Sequence, residues 1–294
     1  MMDIHAHSVY SDGSATVREI VQMAKANRLD LCAITDHDGM DGTEESIAEG
    51  NRQNVNVISG MELNIAYECE LHMLAYGFDW QNEGLKQFMR DQAERRNKRN
   101  QKILDRLEEL GMPIHVHRDE RGAMISRTHI ADSLVRAGHA VDMQDAFKRV
   151  LGPGGSARID LERLTPEDAI QLIHQAQGIA VLAHPGQLQS NWERTIRDLA
   201  DLGLDGLEVY YAAHRASEIS EFRGMALRYG LMMTTGSDYH GEYRKYAKYA
   251  SVAALADRDP AIREAQSRLI DLAKKNADQY RQMKYSQADE KLHE

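Results

Sequence analysis

The sequence predicts an α/β fold, one β/α barrel interrupted by a helical insert, and three observations carry that expectation. Short apolar runs alternate with amphipathic helical stretches toward both ends of the chain. The alternation stops in the middle, over residues 84 to about 156. Nearly every predicted strand ends in a histidine or an acid, the pattern of a β/α barrel whose strand ends converge on one face. A length of 294 residues suits a single barrel with an insertion.

The first strand lies in "MMDIHAHS", where alternation of side chains along an extended chain puts His5 and His7 on the same face. In "TVREIVQMAKANRLD" the apolar Val17, Ile20, Val21 and Ala24 form a helical stripe, with Thr16 and Glu19 spaced as a capping box. "DLCAITDHDG" follows as a second, parallel strand ending in polar residues, and residues 41 to 53 read as a polar helix. "VNVISGMELNI" and "ELHMLAYGF" are strand-like. Beyond the interruption the rhythm resumes with "PEDAIQLIHQAQ", "GIAVLAHPG", "WERTIRDLADLG", "DGLEVYY", "ISEFRGMALRYG" and "LMMTTGSDYHG".

The middle contains one long helical stretch, "EGLKQFMRDQAERRNKRNQKILDRLEELG", stopped by Gly111, and two shorter ones near 128 to 137 and 143 to 150. The expected organisation is therefore a discontinuous barrel, 1–83 and 157–275, with a helical insertion at 84–156 covering the site. A last helix starts at Pro260, and 276–294 is polar enough to be a frayed helix or a disordered tail.

Composition narrows the function. Hydrophobic residues make up 42% and charged ones 28%, ordinary for a soluble globular protein, and no run reaches the roughly 20 apolar residues of a membrane helix. The candidate site starts at residue 3, which leaves no room for a removable signal peptide, so a cytoplasmic location is expected. Two cysteines, Cys32 and Cys69, provide neither a disulfide framework nor a thiolate metal site. A net charge of -10 argues against wrapping a nucleic-acid duplex.

A lone His-x-His is weak, because thirteen histidines yield such pairs by accident; His115 and His117 form a second one in a probable loop. The strand ends make the stronger case. They carry His5 and His7, then Asp36, His37 and Asp38, then Glu62, His72, His184 and Glu208, and finally Asp238 with His240 at the same i, i+2 spacing as the opening pair. Imidazole and carboxylate donors without thiolate suit zinc, manganese or iron.

Taken in order, "DIHAHSVYSDG", "AITDHD", "GMELNI", "ELHMLAYGF", "AVLAHPG" and "TTGSDYHG" resemble the motif set of the PHP (polymerase and histidinol phosphatase) phosphoesterases. The resemblance implies a distorted (β/α)7 barrel and three divalent ions, manganese, iron or zinc. It implies that His5, His7, Glu62 and Asp238 hold one ion, that Glu62 bridges to a second with His72 and His184, and that Asp12, His37 and His240 hold the third. A bridging hydroxide held among Glu62, Asp238 and His184 would then attack phosphorus.

Within that superfamily, "SRTHIADSLVRAG" resembles the Arg-x-His segment of an RNase AM-like subgroup that acts on nucleoside 3',5'-bisphosphates and on short 5'-phosphorylated RNA. Arg127 and His129 would contact the phosphate that is not cleaved; the plainer reading is that Ser126 caps a helix and both are first-turn residues. The run "RRNKRNQK", 95 to 102, could add cationic pull or simply be a solvated face. In "GPGGSARID", Gly155 and Arg158 stand where the subgroup tends to carry lysine and tyrosine. The expected activity is removal of the 3'-phosphate of a nucleoside 3',5'-bisphosphate (pAp to AMP), or trimming of a short 5'-phosphorylated oligoribonucleotide. Hydrolysis of histidinol phosphate or another small ester is the alternative, and a non-catalytic metal-binding regulatory domain is the alternative of another class.

Overall fold

The computed structural model describes residues 1–116, 125–188, 191–244 and 247–293. Among the described residues, eight strands form two sheets. β1 (Met2–Asp3), β2 (Leu31–Ala33) and β3 (Asn56–Ile58) pair in parallel in that order. β4 (Gly60–Ile65), β5 (Leu71–Tyr76), β6 (Ile179–Leu182), β7 (Gly206–Tyr211) and β8 (Met232–Gly236) make the second. The fold is thus mixed α/β, and its strands are not all parallel: β5 runs antiparallel to both β4 and β6.

The cause is local. Only five residues separate β4 from β5, too few for the crossover that a parallel neighbour requires, so the chain turns back as a hairpin. Isolated parallel bridges, Ala6 to Tyr239 and His37 to Glu62, link the two sheets just past the carboxyl ends of β1 and β2.

α1 (Val17–Ala26) connects β1 to β2 and buries the expected Val17, Ile20, Val21 and Ala24. Its capping box is complete: the Glu19 N–H donates to Thr16 Oγ1 at 3.2 Å and the Thr16 N–H to Glu19 Oε2 at 2.7 Å. α2 (Thr43–Gln53) leads into β3. α6 (Pro166–Gln175), α7 (Trp192–Asp201) and α8 (Ala216–Tyr229) alternate with β6, β7 and β8. Their apolar faces and the strands share one core that includes the fully buried Ile58, Met61, Leu74, Tyr76, Phe78 and Phe222. Each such side chain contributes about 1.5–3 kcal/mol when removed from water.

The stretch between β5 and β6 is built mainly of helices. α3 (Glu83–Glu109) is followed by Gly111 with φ +71°, then α4 (Arg127–Arg136) and α5 (Met143–Ala146), the last continuing as a π-turn over Phe147–Leu151. The start of α3 joins the main core through Leu85 and Met89, while its later turns and the helices after it pack on a second core around Ile103, Leu107, Ile130, Leu134, Val150 and Leu151.

After the four-residue α9 (Ala253–Ala256), α10 (Pro260–His293) closes the chain and shows no boundary at 276. Asn276 is buried, its Oδ1 accepting the Ser59 N–H at 3.0 Å, and Tyr280 and Met283 lean on the main core. The polar sequence beyond 276 reads as tail-like because its few anchoring residues are spaced around an otherwise solvated helix. No helix among the described residues is long and apolar enough to cross a membrane.

Candidate metal centre

The carboxyl ends of four parallel strands deliver most of the cluster: His5 and His7 after β1, His37 after β2, His184 after β6, and Asp238 and His240 after β8. Glu62 lies within β4. His72 is near the amino end of β5, and because that strand is antiparallel, its amino end reaches the face that its neighbours reach with their carboxyl ends. Asp12 arrives on a tight turn in which Gly13 N–H donates to the Ser8 carbonyl at 3.0 Å. A Cβ at Gly13 would sit 2.1 Å from the His7 carbonyl oxygen, so only glycine lets the chain fold back here.

Glu62, fully buried, is the hub. Its Oε2 lies 3.4, 3.1 and 3.3 Å from ring nitrogens of His5, His7 and His37, and its Oε1 lies 3.0 and 3.1 Å from His72 Nδ1 and His184 Nε2. Asp238 Oδ1 stands 3.4 Å from His5 Nε2 and 3.2 Å from His7 Nε2. Asp12 Oδ1 stands 3.3 Å from His240 Nε2 and 3.9 Å from His37 Nε2.

Three groups therefore offer donor atoms within 4.8 Å of one another: His5, His7, Glu62 and Asp238; His7, Asp12, His37 and His240; and His37, Glu62 and His72. His184 reaches the same Glu62 oxygen as His72.

Short as they are, most of these approaches are not hydrogen bonds. His5 Nε2, both ring nitrogens of His7, Asp12 Oδ1, His37 Nδ1, Glu62 Oε2, His72 Nε2, Asp238 Oδ1 and His240 Nε2 are buried without a hydrogen-bond partner. Each such orphan costs about 1–3 kcal/mol, and buried polar atoms are otherwise almost always satisfied. Lone pairs of one chemical kind converging on shared points fit divalent cations.

The electrostatics agree. Burial alone would lower His7, but Asp238 and Glu62 beside it carry it up to about 9, and Glu62 and Glu70 lift His72 against burial to about 10. His37 falls to about 3, driven by its own burial. Burial opposes the ionisation of Glu62, Asp12 and Asp238, yet the surrounding imidazoles hold all three well below the usual carboxylate range. The cluster demands positive charge.

Carboxylates behind the donors fix their orientation. Asp36 accepts from the Ser8 N–H at 2.8 Å and from the Ser8 and Ser11 hydroxyls, holding the loop that carries Asp12. Asp38 accepts the Asn64 N–H at 2.8 Å and pairs with Arg96. Asp238 also accepts from Tyr211 Oη at 3.0 Å and pairs with Arg244.

Beside the cluster opens a cleft of about 270 Å³. His37, His72 and Asp12 face it from one side, and Arg96, Arg99, Arg127, Arg163 and Arg244 from the others. Among the described residues Arg99, Arg127 and Arg163 make no ion pair; burial and the nearby charges of Arg127 and Arg96 depress Arg99 to about 10.

The run 95 to 102 divides along the helical period: Arg96, Arg99 and Asn100 are buried, while Arg95, Lys98 and Lys102 are solvated. Ser126 caps α4, its N–H donating to His129 Nδ1 at 3.1 Å, so the cap engages one of the two ring nitrogens of His129. Thr128, between them, donates to Asp12 Oδ2 at 3.3 Å.

Gly155 belongs to a turn in which a Cβ would lie 2.4 Å from the Val150 carbonyl oxygen, and Arg158 pairs with Asp160. His115 is exposed in a loop and His117 lies outside the described residues. Arg163, Arg244 and Thr128 were not singled out by pattern; Arg99 lies in the run 95 to 102 named as a candidate, and the helical period of α3 is the signal that separates it from its solvated neighbours.

The sequence pattern of the PHP domain matches residues 3–284. The chain belongs to the PHP domain family. Among its relatives in this family, the 5'-3' exoribonuclease Rnm of Escherichia coli is 33% identical over 247 residues, covering 81% of this chain and 84% of its own. The 3',5'-nucleoside bisphosphate phosphatase of Chromobacterium violaceum is 32% identical, covering 81% and 87%. A solved structure from the same organism, described as an amidohydrolase with bound sulfate and no metal, superposes with a TM-score of 0.78 at 30% identity and covers 91% of this PHP chain and 96% of its own.

Proposed function

We propose that this protein is a metal-dependent phosphoesterase that removes the 3'-phosphate of nucleoside 3',5'-bisphosphates, or trims short 5'-phosphorylated oligoribonucleotides. The observation that carries the reading is the adjacency of two features. Orphaned imidazole and carboxylate atoms gather around Glu62, and three arginines without ion-pair partners among the described residues line the same cleft. The relatives named above act on the same substrate classes.

Three ions, manganese, iron or zinc, would be held by His5, His7, Glu62 and Asp238, by Glu62, His72 and His184, and by Asp12, His37 and His240. They would supply Lewis acidity toward the phosphoryl oxygens and lower the pKa of an attacking water. Glu62 suits a shared ligand because its two oxygens face different histidines. Arg127, with Arg99 and Arg163, takes the phosphate that is not cleaved, since a guanidinium fork matches phosphate geometry. His129 contributes by capping the helix that presents Arg127.

An arginine-lined cleft repels the amino group of histidinol phosphate, which disfavours that ester. In the same reading the bridged sheets are a distorted (β/α)7 barrel, and the helices of 84–156, most of which pack on a core of their own, are its insertion. The test is phosphate release from adenosine 3',5'-bisphosphate by protein reconstituted with manganese. A clear rate, lost in His7→Ala, supports the reading; none above background overturns the bisphosphate assignment.

A further inference from the structure

Glu208 lies in β7, fully buried, behind the donors rather than among them. Its two oxygens have separate tasks. Oε1 is 2.9 Å from His5 Nδ1, and Oε2 accepts the backbone N–H of His184 at 2.8 Å. A carboxylate only accepts, so the proton of His5 sits on Nδ1 and its lone pair on Nε2. That Nε2 is the buried orphan facing Glu62 and Asp238, 3.4 Å from each.

The second bond acts on the main chain. His184 has φ +25°, a conformation that a residue with a side chain adopts only when something holds it. With its N–H tied to Glu208, its ring reaches Glu62 Oε1 at 3.1 Å, beside His72. The fold keeps space for this arrangement at Gly236 of β8, where a Cβ would fall 2.2 Å from His5 Cβ and 2.6 Å from Glu208 Oε1.

We propose that Glu208 is a positioning residue that sets two ion sites at once, fixing the tautomer of His5 for one and the backbone of His184 for the other. This rests on the ion-binding reading of the cluster. Glutamine at 208 has the same shape but one acceptor. With its oxygen toward His5, its NH₂ meets the N–H of His184. Turned over, its NH₂ donates to His5 Nδ1 and drives the proton onto Nε2, where the ion should sit. Either orientation damages one site.

The experiment is manganese binding by the full chain, measured by metal analysis across graded chelator concentrations, for wild type, His7→Ala and Glu208→Gln. Thermal unfolding in excess chelator accompanies each. Glu208→Gln is expected to weaken manganese binding roughly 10- to 100-fold, the usual effect of losing a partner that orients a ligand, with unchanged unfolding in chelator. Wild-type affinity in Glu208→Gln overturns the proposal, and so does a large loss of stability in chelator, which would mark Glu208 as a packing residue. Absence of binding by wild type, or equal binding by His7→Ala, overturns the ion-binding reading itself and is told apart by those two proteins alone.

Discussion

The buried donor cluster beside the cleft, its floor, and the arginines that line the cleft, its wall, both gather charge, but they are assembled in opposite ways. The floor comes from strand ends: His5, His7, Glu62, Asp238 and His240 are essentially inaccessible, packed within hydrogen-bond distance of one another, and backed by Asp36, Glu208 and Tyr211. The wall comes largely from the interruption and the strand of chain that follows it, with Arg99, Arg127 and Arg163 on less crowded ground and without ion pairs among the described residues. A sheet can hold many donors to tenths of an ångström because neighbouring strands constrain each one. Long side chains on inserted helices supply charge and reach, with less constraint on where the charge sits. The floor is therefore suited to chemistry that tolerates little displacement, and the wall to selecting an anion.

That contrast predicts a graded set of losses. Replacing His7 with alanine should lower kcat/KM for adenosine 3',5'-bisphosphate by roughly 10³-fold, the several kcal/mol that ion-assisted catalysis contributes. Circular dichroism should show the fold retained, and turnover near wild type would remove the floor from the mechanism. Arg127→Ala should cost about 10- to 100-fold with the bisphosphate, one charge-assisted bond of about 1.5–3 kcal/mol, and little with a nucleoside 3'-monophosphate. Equal losses on both substrates would make Arg127 part of the floor rather than the wall.

Thr128→Val severs the hydrogen bond from α4 to Asp12, the one hydroxyl contact from α3–α5 to a proposed ligand among the described residues. A loss of about 2- to 10-fold is expected, appearing in manganese affinity as well as in rate. Arg163→Ala, at a half-exposed position, should cost no more than about 5-fold and should do so mainly at low ionic strength, because salt screens it. A salt-independent loss would mean that Arg163 is desolvated by the substrate.

The two regions also differed in how legible they were. The floor stood out because strands display their ends: His-x-His at 5 and 7, and Asp-x-His at 238 and 240, repeat a spacing that only an extended chain turns into a shared face. The wall did not. The run 95 to 102 reads as a solvated basic face, and its division into buried Arg96 and Arg99 and exposed Arg95 and Lys98 depends on which side of α3 meets the sheet. Arg163 lies in a stretch without regular structure, where no period exists to read. His129 shows how a spacing can serve two ends: its distance from Arg127 suits a phosphate contact and a capping box alike, and the cap engages its Nδ1.

Local sequence was sufficient for what depends on local sterics and periodicity. It specified the capped α1, the long helix ending at Gly111, the parallel first strands, and the residue types that a cation would need. Tertiary structure alone decided what depends on contacts between distant segments. The β4–β5 hairpin is local, but only its pairing with the distant β6 sets His72 beside His184 at the same Glu62 oxygen. The bridges between the sheets place residue 6 beside 239 and residue 37 beside 62. Glu208, a glutamate in an apolar strand, gains its two partners only because His5 and His184 close around it from about 200 and 24 positions away. Pattern encodes which face a side chain takes within its own element; what that face meets is set by packing, where the free energy is shared among residues that sequence order keeps apart.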